Sequence, residues 1–458
     1  MSLSVIILAA GEGSRMRSQL PKVLHTLGGK TLLEHVIATA RQLDAHHVCV
    51  VYGHGGEQLR SALNHLDVDW VEQAEQLGTG HAVAQAMGPV ARHDTALILY
   101  GDVPLISPAT LQRLIAAVSR DSLGLLTVPL ENPTGYGRII RDPAGHVMRI
   151  VEEKDANDQQ RAIKEINTGI MAIQVKRLKG WLAALDNKNA QGEYYLTDII
   201  AMAVKDGVMI NTVVPQTVTE TLGVNDRAQL AELERYYQQQ QAMRLMMSGV
   251  TLRDPGRFDL RGEITTGTDV AIDVNNVFEG KVSLGNRVQI GPNNIIRNAT
   301  IGDDVIIHGH CIIEDAVIGV QCRIGPFSRI RPETTLGKDV HIGNFVEIKK
   351  SNVKDNSKIN HLSYVGDTTV GRNVNIGAGT ITCNYDGANK HHTEIGDDVF
   401  IGSDTQLVAP VTIGNGATIG AGSTITRDVP PDELALSRVP QRSRAGWKRP
   451  IKKKTDDL

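Results

Sequence analysis

Ile318, Ile324, Ile330, Leu336, Ile342 and Ile348 follow one another at intervals of six, and so do Ile395, Ile401, Leu407, Ile413, Ile419 and Ile425. Between them lie Val353, Ile359 and Val365, then Val370 and Ile376, each series shifted by one residue. Glycine directly follows the apolar residue at Gly319, Gly325, Gly337, Gly343, Gly366, Gly371, Gly377, Gly396, Gly402, Gly414 and Gly420. One buried aliphatic per hexad, with a small residue beside it, describes one flat side of a parallel β-helix. Three hexads make a triangular coil whose aliphatics point inward and stack on the coils above and below. Each coil covers only its neighbour, so many coils are required. From Val282 to Ile425 there are 19 Gly and 21 Ile but only 4 Leu, a composition for strands and not for helices. The repeat is interrupted once. After Ile381 comes TCNYDGANKHHTE, and Ile395 restores the period 14 residues later, two more than two hexads. This predicts a loop leaving the prism, and loops on rigid scaffolds carry function.

The first half has a different rhythm. Val5 to Ala10, Val48 to Tyr52 and Ala96 to Tyr100 read as buried strands, and Thr31 to Leu43 as an amphipathic helix. Alternating β and α segments predict an α/β unit, a mainly parallel sheet with helices on both faces and ligands beyond the carboxyl ends of the strands. Residues 226–247 contain no Gly or Pro, with Asp226 as a plausible cap and Gly249 as a stop. They predict one long helix acting as a rigid spacer. The expected organisation is residues 1–225, a linker helix over 226–248, and a β-helix with a tail over 249–458. The charge balance of 48 Lys+Arg against 51 Asp+Glu argues against nucleic acid as the main partner. No apolar run of about 18 residues predicts a membrane span. No secretory signal is visible, and the scattered Cys49, Cys311, Cys322 and Cys383 read as reduced thiols of a cytoplasmic protein.

Chemistry concentrates at a few places. Leu8-Ala9-Ala10-Gly11-Glu12-Gly13-Ser14-Arg15 runs from a strand into a glycine loop, with Pro21-Lys22 following. Gly11 and Gly13 let backbone N–H groups approach phosphate oxygens, while Arg15 and Lys22 supply charge. The Walker pattern is absent, and an ordinary βα turn is the competing reading. Tyr100-Gly101-Asp102 closes an apolar strand. A carboxylate there, beside a phosphate loop, suits Mg²⁺ held jointly with substrate phosphates; the plainer alternative is an Asp in a turn. Gly78-Thr79-Gly80, with Gln73 nearby, is a second close-approach loop. In the second half, candidate ligands and bases are Arg331, Glu347, Lys349, Lys350, His361, Tyr364, Asn375, Asn384, Tyr385, Ser403 and Arg438. His361 can take a proton from an attacking amine, against the alternative of a solvated histidine. A zinc site would draw on His308, His310, His341, His361, His391 and His392, but no strong local ligand spacing is present.

LAAGxGxRM with a following PK, then GTG and YGD, resembles the sugar-phosphate nucleotidyltransferases, with their Rossmann-like domain. Hexad-repeat helices resemble trimeric acyltransferases with a left-handed parallel β-helix, and carbonic anhydrases. Over residues 3–450 the chain is similar to the bacterial bifunctional N-acetylglucosamine-1-phosphate uridylyltransferase/glucosamine-1-phosphate N-acetyltransferase family. The most specific stretches are QAEQLGTGHA (73–82), YGDVPLI (100–106), NPTGYGRI (132–139), GEYYLTDII (192–200), IGPFSRIRP (324–332), NIGAGTITCNYDGANK (375–390) and IGSDTQLVAPV (401–411).

The resemblance implies that acetyl-CoA acetylates glucosamine 1-phosphate, and that the product, N-acetylglucosamine 1-phosphate, reacts with UTP and Mg²⁺ to release pyrophosphate. It implies Leu8, Ala9, Ala10 and Gly11 at the nucleotide, Arg15 and Lys22 on the phosphates, Gln73, Gly78 and Thr79 on uracil, and Tyr100 and Gly101 within the same UDP-N-acetylglucosamine site. Asp102 and Asn225 would hold Mg²⁺, and Gly137, Glu152, Asn167, Tyr195 and Thr197 the sugar. In the acetyl site His361 would be the base, supported by Glu347. Arg331, Lys349, Tyr364 and Asn375 would grip glucosamine 1-phosphate; Ala378, Asn384, Tyr385, Ser403, Ala421 and Arg438 would border acetyl-CoA. The resemblance also implies a homotrimer and a role in making precursors of peptidoglycan and lipopolysaccharide. The alternative is a single-activity nucleotidyltransferase with a structural β-helix. The basic tail, Arg442, Arg444, Lys448, Arg449, Lys452, Lys453 and Lys454, reads as a solvated arm or an anion contact.

Overall fold

The computed structural model describes residues 2–11, 13–53 and 55–450; Lys452, Lys453 and Lys454 of the tail lie outside them. The chain divides into two compact units, Met1–Gln241 and Ala242–Leu458.

The first unit is built on a mixed sheet. Its strands are β1 (Leu3–Ala9), β2 (His47–Tyr52), β3 (Asp69–Glu72), β4 (Thr95–Tyr100), β5 (Ser122–Pro129), β6 (Arg138–Arg141), β7 (Val147–Val151), β8 (Glu165–Gln174) and β9 (Met209–Val213). The order is β9-β5-β8-β4-β1-β2-β3, with β6 bridging β8 and β7. Central β1 is parallel to β2 and β4, placing Ile6 opposite Cys49 and Ile98. It is apolar on both faces because both are covered. Val5 and Ile7 join one core with Val50, Leu97 and Leu99, and Ile6 and Leu8 the other with Val51 and Ile98. The expected parallel sheet is interrupted at β8, which runs antiparallel to β4 and β5. Helix α1 (Leu32–Arg41) starts at a reciprocal cap: Thr31 Oγ1 accepts from Glu34 N and Glu34 Oε2 accepts from Thr31 N. It buries Leu33, Val36, Ile37 and Ala40 on the sheet.

The long helix spans Arg227–Met247. It is not a free spacer along its length. Leu230, Leu233 and Tyr237 pack with Met16, Leu27 and Leu32 in the first unit, while Ala242 and Leu245 belong to the core of the second. Apolar burial therefore claims each end for a different unit.

In the second unit every ladder pairing is parallel. Eleven strands stack on one side and 17 on the remaining sheet. Ile290, Ile307, Ile324, Ile342, Ile359, Ile376, Ile401 and Ile419 lie in register, one above another. Each is at most 3% exposed. The glycines after these aliphatics are required by close approach. A Cβ at Gly343 would lie 2.0 Å from Asn360 O, and one at Gly377 2.5 Å from Ser403 N. The turning itself falls mostly to Asn and Asp with positive φ, such as Asn293 (φ 63°), Asp304 (φ 59°) and Asn373 (φ 56°).

The interruption after Ile381 differs from the reading by period. Ile381 faces outward at 42% exposure, and Thr382, 1% exposed, takes the inward place opposite Leu407. Thr382 Oγ1 accepts from Gly366 N at 2.8 Å. The strands holding Thr382 and Ile395 follow one another directly in the coil, so these 13 residues replace a single hexad, and the loop carries seven extra residues where the count of two hexads from Ile381 implied two. An Ile359→Ala change is expected to cost about 2–5 kcal/mol. Thr382→Val, though it restores an aliphatic column, is expected to cost about 1–3 kcal/mol by orphaning the Gly366 N–H. Urea unfolding of the two variants measures both, and a neutral Thr382→Val would contradict the assignment.

Candidate active sites

In the first unit a cavity of about 280 Å³ opens at the carboxyl ends of β1 and β4. Leu8, Ala9, Ala10, Gly11, Lys22, Gln73, Gly78, Thr79, Tyr100 and Asp102 line it, with Val23, Gln76, Ala82 and Glu193. Hydrogen bonds to backbone carbonyls fix its rim: Gly101 N donates to Leu8 O at 2.9 Å, and Gln76 Nε2 donates to Ala10 O at 2.8 Å. The Gly78 loop is zipped to residues 194–196. Tyr194 N donates to Leu77 O and Gly80 N to Tyr194 O, both at 2.8 Å, and Leu196 N to Thr79 Oγ1 at 3.2 Å. Gly78 has φ 112°, and a Cβ there would lie 2.7 Å from Tyr194 O. This position needs glycine for both reasons.

Charge sits at the mouth. Lys22 Nζ pairs with Asp102 Oδ2, both side chains largely shielded. Arg15 Nη2 donates to Asn225 Oδ1 at 2.9 Å, and Val224 N donates to Asp102 O at 2.9 Å. Asp102 and Asn225, far apart in sequence, thus stand side by side, each with an oxygen on a cation. One carboxylate and one carboxamide oxygen fit the sparse protein share of an Mg²⁺ site completed by phosphates and water.

The residues expected at the sugar form a second cluster. Thr197 Oγ1 donates to Glu152 Oε1 at 2.9 Å, and Asn167 N donates to Gly137 O at 2.8 Å. A Cβ on Gly137 would meet Glu152 Oε1 at 3.3 Å. Tyr195 joins through its hydroxyl, which donates to Asp155 Oδ2 at 3.3 Å and accepts from Gln191 at 2.9 Å. Burial pushes the Glu152 carboxyl above its ordinary range, against the opposite pull of the Thr197 hydrogen bond.

In the second unit the candidates fall on one corner and the adjoining side. Asn344 is in register with His361, and His361 Nδ1 lies 3.1 Å from Asn344 Oδ1. The register Ile359, Ile376, Ile401, Ile419 carries the corner onward through Ala378, Ser403 and Ala421, each two residues past its aliphatic. Arg438 Nη1 donates to Ala421 O at 2.7 Å. At one strand spacing per coil, His361 to Ala421 spans about 14 Å. Asn375 faces outward on the strand entering this corner, opposite Lys358.

On the adjoining side Glu347 is in register with Tyr364, and Lys349 with Gly366. Glu347 was expected behind His361. Its Oε1 lies instead 2.6 Å from Arg331 Nη1, and the polar partner of His361 is Asn344. The register explains this, since Glu347 projects one strand past the corner. Lys350 occupies a left-handed corner (φ 46°) where its backbone N donates to Pro332 O. The loop folds back over this side. Asn384 Nδ2 donates to Asp367 Oδ2 at 2.6 Å and lies 3.4 Å from the Tyr364 hydroxyl; exposed Tyr385 donates to Gly387 O at 2.6 Å. Asp386 Oδ1 accepts from Ala388 N and Asn389 N, and its Oδ2 lies 2.7 Å from His391 Nε2. His391 is thereby a staple of the loop, and His392 rests on Thr369 Oγ1 at 3.0 Å. Among the described residues no group of three His, Cys, Asp or Glu is gathered as a metal cage.

Several lining residues escape the sequence reading. Gln76 and Glu193 lie inside quoted stretches, but nothing in their spacing marks them. Asn344 could have been found by stepping one coil back from His361. Lys390, at the end of the loop, meets Lys349, whose amine is drawn below the ordinary lysine range by their hydrogen bond, with burial and the neighbouring charge adding to it.

A family model for the MobA-like NTP transferase domain matches residues 5–249. A GMPPB C-terminal domain model matches 260–342, and the bacterial transferase hexapeptide model matches 392–427. Among curated relatives, Bifunctional protein GlmU of Azoarcus sp. (strain BH72) is 60% identical over 99% of this chain and 100% of its own. The GlmU proteins of Aromatoleum aromaticum (59% identical, 99% and 100%) and Methylococcus capsulatus (60%, 99% and 98%) are similar over the same span.

The raised Glu152 group gives a pH test of the first cluster. A carboxyl raised in the folded state favours folding fully only below its unfolded value near 4.5, and that contribution is lost as pH rises through the folded value. Glu152→Gln is therefore expected to be more stable than the parent at pH 7, with the advantage vanishing as pH falls below about 4.5. Urea midpoints at the two pH values measure it; an advantage that grows on acidification would contradict the burial.

Proposed function

We propose, for a chain that belongs to the family of bifunctional GlmU proteins, that each compact unit carries one of its two transfer reactions. The chain is an enzyme with uridylyltransferase and acetyltransferase activities. The first unit takes UTP and N-acetylglucosamine 1-phosphate, and the second takes acetyl-CoA and glucosamine 1-phosphate.

In the first unit a sugar-phosphate oxygen attacks the α-phosphorus of UTP. The bond from that phosphorus to the β-phosphate oxygen breaks, and pyrophosphate leaves. No protein nucleophile is needed; positioning and charge neutralisation carry the step. Gln73, Gly78 and Thr79 line the end of the cavity proposed for uracil. Gly11, Arg15 and Lys22 serve the phosphates, and Glu152, Asn167, Tyr195 and Thr197 the sugar. Asp102 and Asn225 are the residues that would hold Mg²⁺, which when bound supplies charge neutralisation to the phosphates. Lys22 and Arg15 guard the same two oxygens, so they can turn to phosphate oxygens once a substrate enters.

In the second unit the glucosamine nitrogen attacks the thioester carbonyl, the C–S bond breaks, and CoA leaves as a thiolate that picks up the proton the amine gives up through His361. His361 takes the amine proton. With Nδ1 donating to the amide oxygen of Asn344, 3.1 Å away, Nε2 has the free lone pair of a base. The observation that carries this reading is a break in charge alternation. Arg261, Glu279, Arg297, Glu314 and Arg329 form an ion-pair ladder of alternating sign. Beyond it the sequence of charges becomes Arg331, Lys349 and Lys390, balanced only in part by Glu347 and Asp367. Such a positive excess suits a phosphate. Ala378, Ser403, Ala421 and Arg438 offer acetyl-CoA a track along the corner that starts at His361.

The neighbouring corner column supports assembly as a homotrimer. His310, Phe327 and Phe345 are stacked, with centroids 4.8 and 5.4 Å apart, and Phe327, Phe345 and Leu362 are 48, 55 and 63% exposed. All four have positive φ. An exposed apolar column held in a costly backbone conformation suits burial against a second copy of the chain. No described helix is long and apolar enough to cross a membrane. The four cysteines are free, as befits the cytoplasm where UTP and acetyl-CoA are available.

The test is a coupled assay on the whole chain. With UTP omitted, acetyl-CoA and glucosamine 1-phosphate should yield free thiol without pyrophosphate. His361→Ala is expected to lower thiol release at least 100-fold and spare pyrophosphate release from UTP and N-acetylglucosamine 1-phosphate. Asp102→Ala should do the reverse. Loss of both activities from either folded variant would overturn the two-site assignment.

A further inference from the structure

The base-lining residue Gln73 is 3% exposed and anchored by its backbone, whose N donates to Tyr52 O at 2.7 Å. Its carboxamide can point either end into the cavity, and the two ends are chemically opposite. One contact removes the ambiguity. Gln73 Nε2 lies 3.1 Å from Gly78 O. A backbone carbonyl only accepts, so the nitrogen end must face it. The same Nε2 lies 3.1 Å from His81 Nδ1. With one proton spent on Gly78 and the other aimed at His81, that ring nitrogen must be the acceptor.

A neutral imidazole accepting at Nδ1 carries its proton on Nε2. The Gln85 carboxamide nitrogen lies 2.9 Å from that Nε2, a donor facing a donor that turning the exposed carboxamide over relieves. Amide nitrogen and oxygen are isosteric, and hydrogen-bond chemistry decides between them. Gln85 therefore presents its oxygen. If it presented nitrogen, the ring proton would move to Nδ1 and face the Gln73 NH₂ group, donor against donor. A single proton arrangement satisfies the row from Gln85 through His81 and Gln73 to Gly78. It leaves Gln73 Oε1, which has no hydrogen-bond partner among the described residues, as the free end of the carboxamide.

We infer that His81, held in one tautomer by Gln85, is a positioning residue that locks the carboxamide oxygen of Gln73 toward the nucleobase and so sets the preference for uracil over cytosine. The inference rests on the reading of Gln73 as the residue that meets the base. Uracil carries a ring N3–H donor, which an oxygen accepts. Cytosine carries a bare N3 lone pair, which an oxygen repels and only a turned carboxamide would meet. A site built to hydrogen-bond one pattern rejects the other because the mismatch leaves a buried polar group unpaired. His81 need not touch the substrate for this.

The experiment is the ratio of kcat/KM for UTP to that for CTP, measured by pyrophosphate release on the full-length protein with Mg²⁺. The urea midpoint of each variant serves as the folding control. His81→Ala is expected to lower the ratio at least tenfold, chiefly by raising KM for UTP, with kcat for UTP changed less than threefold. His81→Gln, which keeps a hydrogen-bond acceptor in the row, should hold the ratio within threefold of the parent. Gln85→Leu, an exposed position whose change frees the tautomer, should lower it about threefold or more. That variant keeps the test sharp if His81→Ala fails to fold. Gln73→Ala separates the inference from its premise. If Gln73→Ala leaves the ratio unchanged, the base-reading assignment fails. If Gln73→Ala collapses the ratio while His81→Ala and Gln85→Leu do not, the assignment stands and the role of His81 is overturned. Equal losses in His81→Ala and His81→Gln would reduce His81 to packing and overturn it as well.

Discussion

The second unit depends on the vertical stacking of inward aliphatic side chains, coil on coil. Each Ile in the column from Ile290 to Ile419 is covered by its neighbours above and below, and no single coil can bury its own face. This fixes the register of the whole unit, because a one-residue slip would turn every aliphatic outward. A fixed register is also what gives the surface its chemistry. Residues two places past successive aliphatics must lie on one corner, which is how Asn344, His361, Ala378, Ser403 and Ala421 form a track from positions spread across the sequence. The proposed acetyl-transfer site is thus a by-product of core geometry, with polar groups placed where the prism leaves them exposed.

The first unit reaches a comparable result by another route. Its sheet is anchored by strands buried on both faces, and its chemistry lies where β1 and β4 end. There the side chains are held by contacts among themselves: Lys22 on Asp102, Arg15 on Asn225, Thr197 on Glu152. Such pairs pre-form a polar site before any ligand arrives, lowering the ordering that binding requires. Neither unit needs a protein nucleophile. In the proposed reactions both bring reactants together and manage charge, one on phosphates and the other on an amine proton.

Much of this could be read from the residues. The hexads predicted the β-helix because one period reports one stacked position, and the strand into LAAGEGSR predicted a phosphate loop because backbone N–H groups need glycine to come close. What could not be read has physical causes. Ile381 is the aliphatic of the pair, yet Thr382 stands six residues after Ile376 and is the one buried, its hydroxyl meeting Gly366 N at the point where the loop departs. Glu347 was assigned to His361 from resemblance, but Arg331 takes it, because residues close in sequence across a corner face different sides. The long helix looked like a spacer because its sequence shows formers and no breakers, whereas its packing partners are distant in the chain. The direction of β8 was equally hidden, since burial on both faces leaves no trace of strand polarity.

The central claim is that one chain joins an acetyl group and a uridylyl group to the same sugar, in that order. Its most direct test is a double-label experiment. The purified protein is given glucosamine 1-phosphate, acetyl-CoA labelled in the acetyl group, UTP labelled at the α-phosphorus, and Mg²⁺, and the nucleotide sugar is isolated. The account predicts a single product carrying both labels in equal amounts, with no uridylylated sugar lacking acetyl. A nucleotide sugar bearing the phosphorus label without the acetyl label as the main product would contradict it.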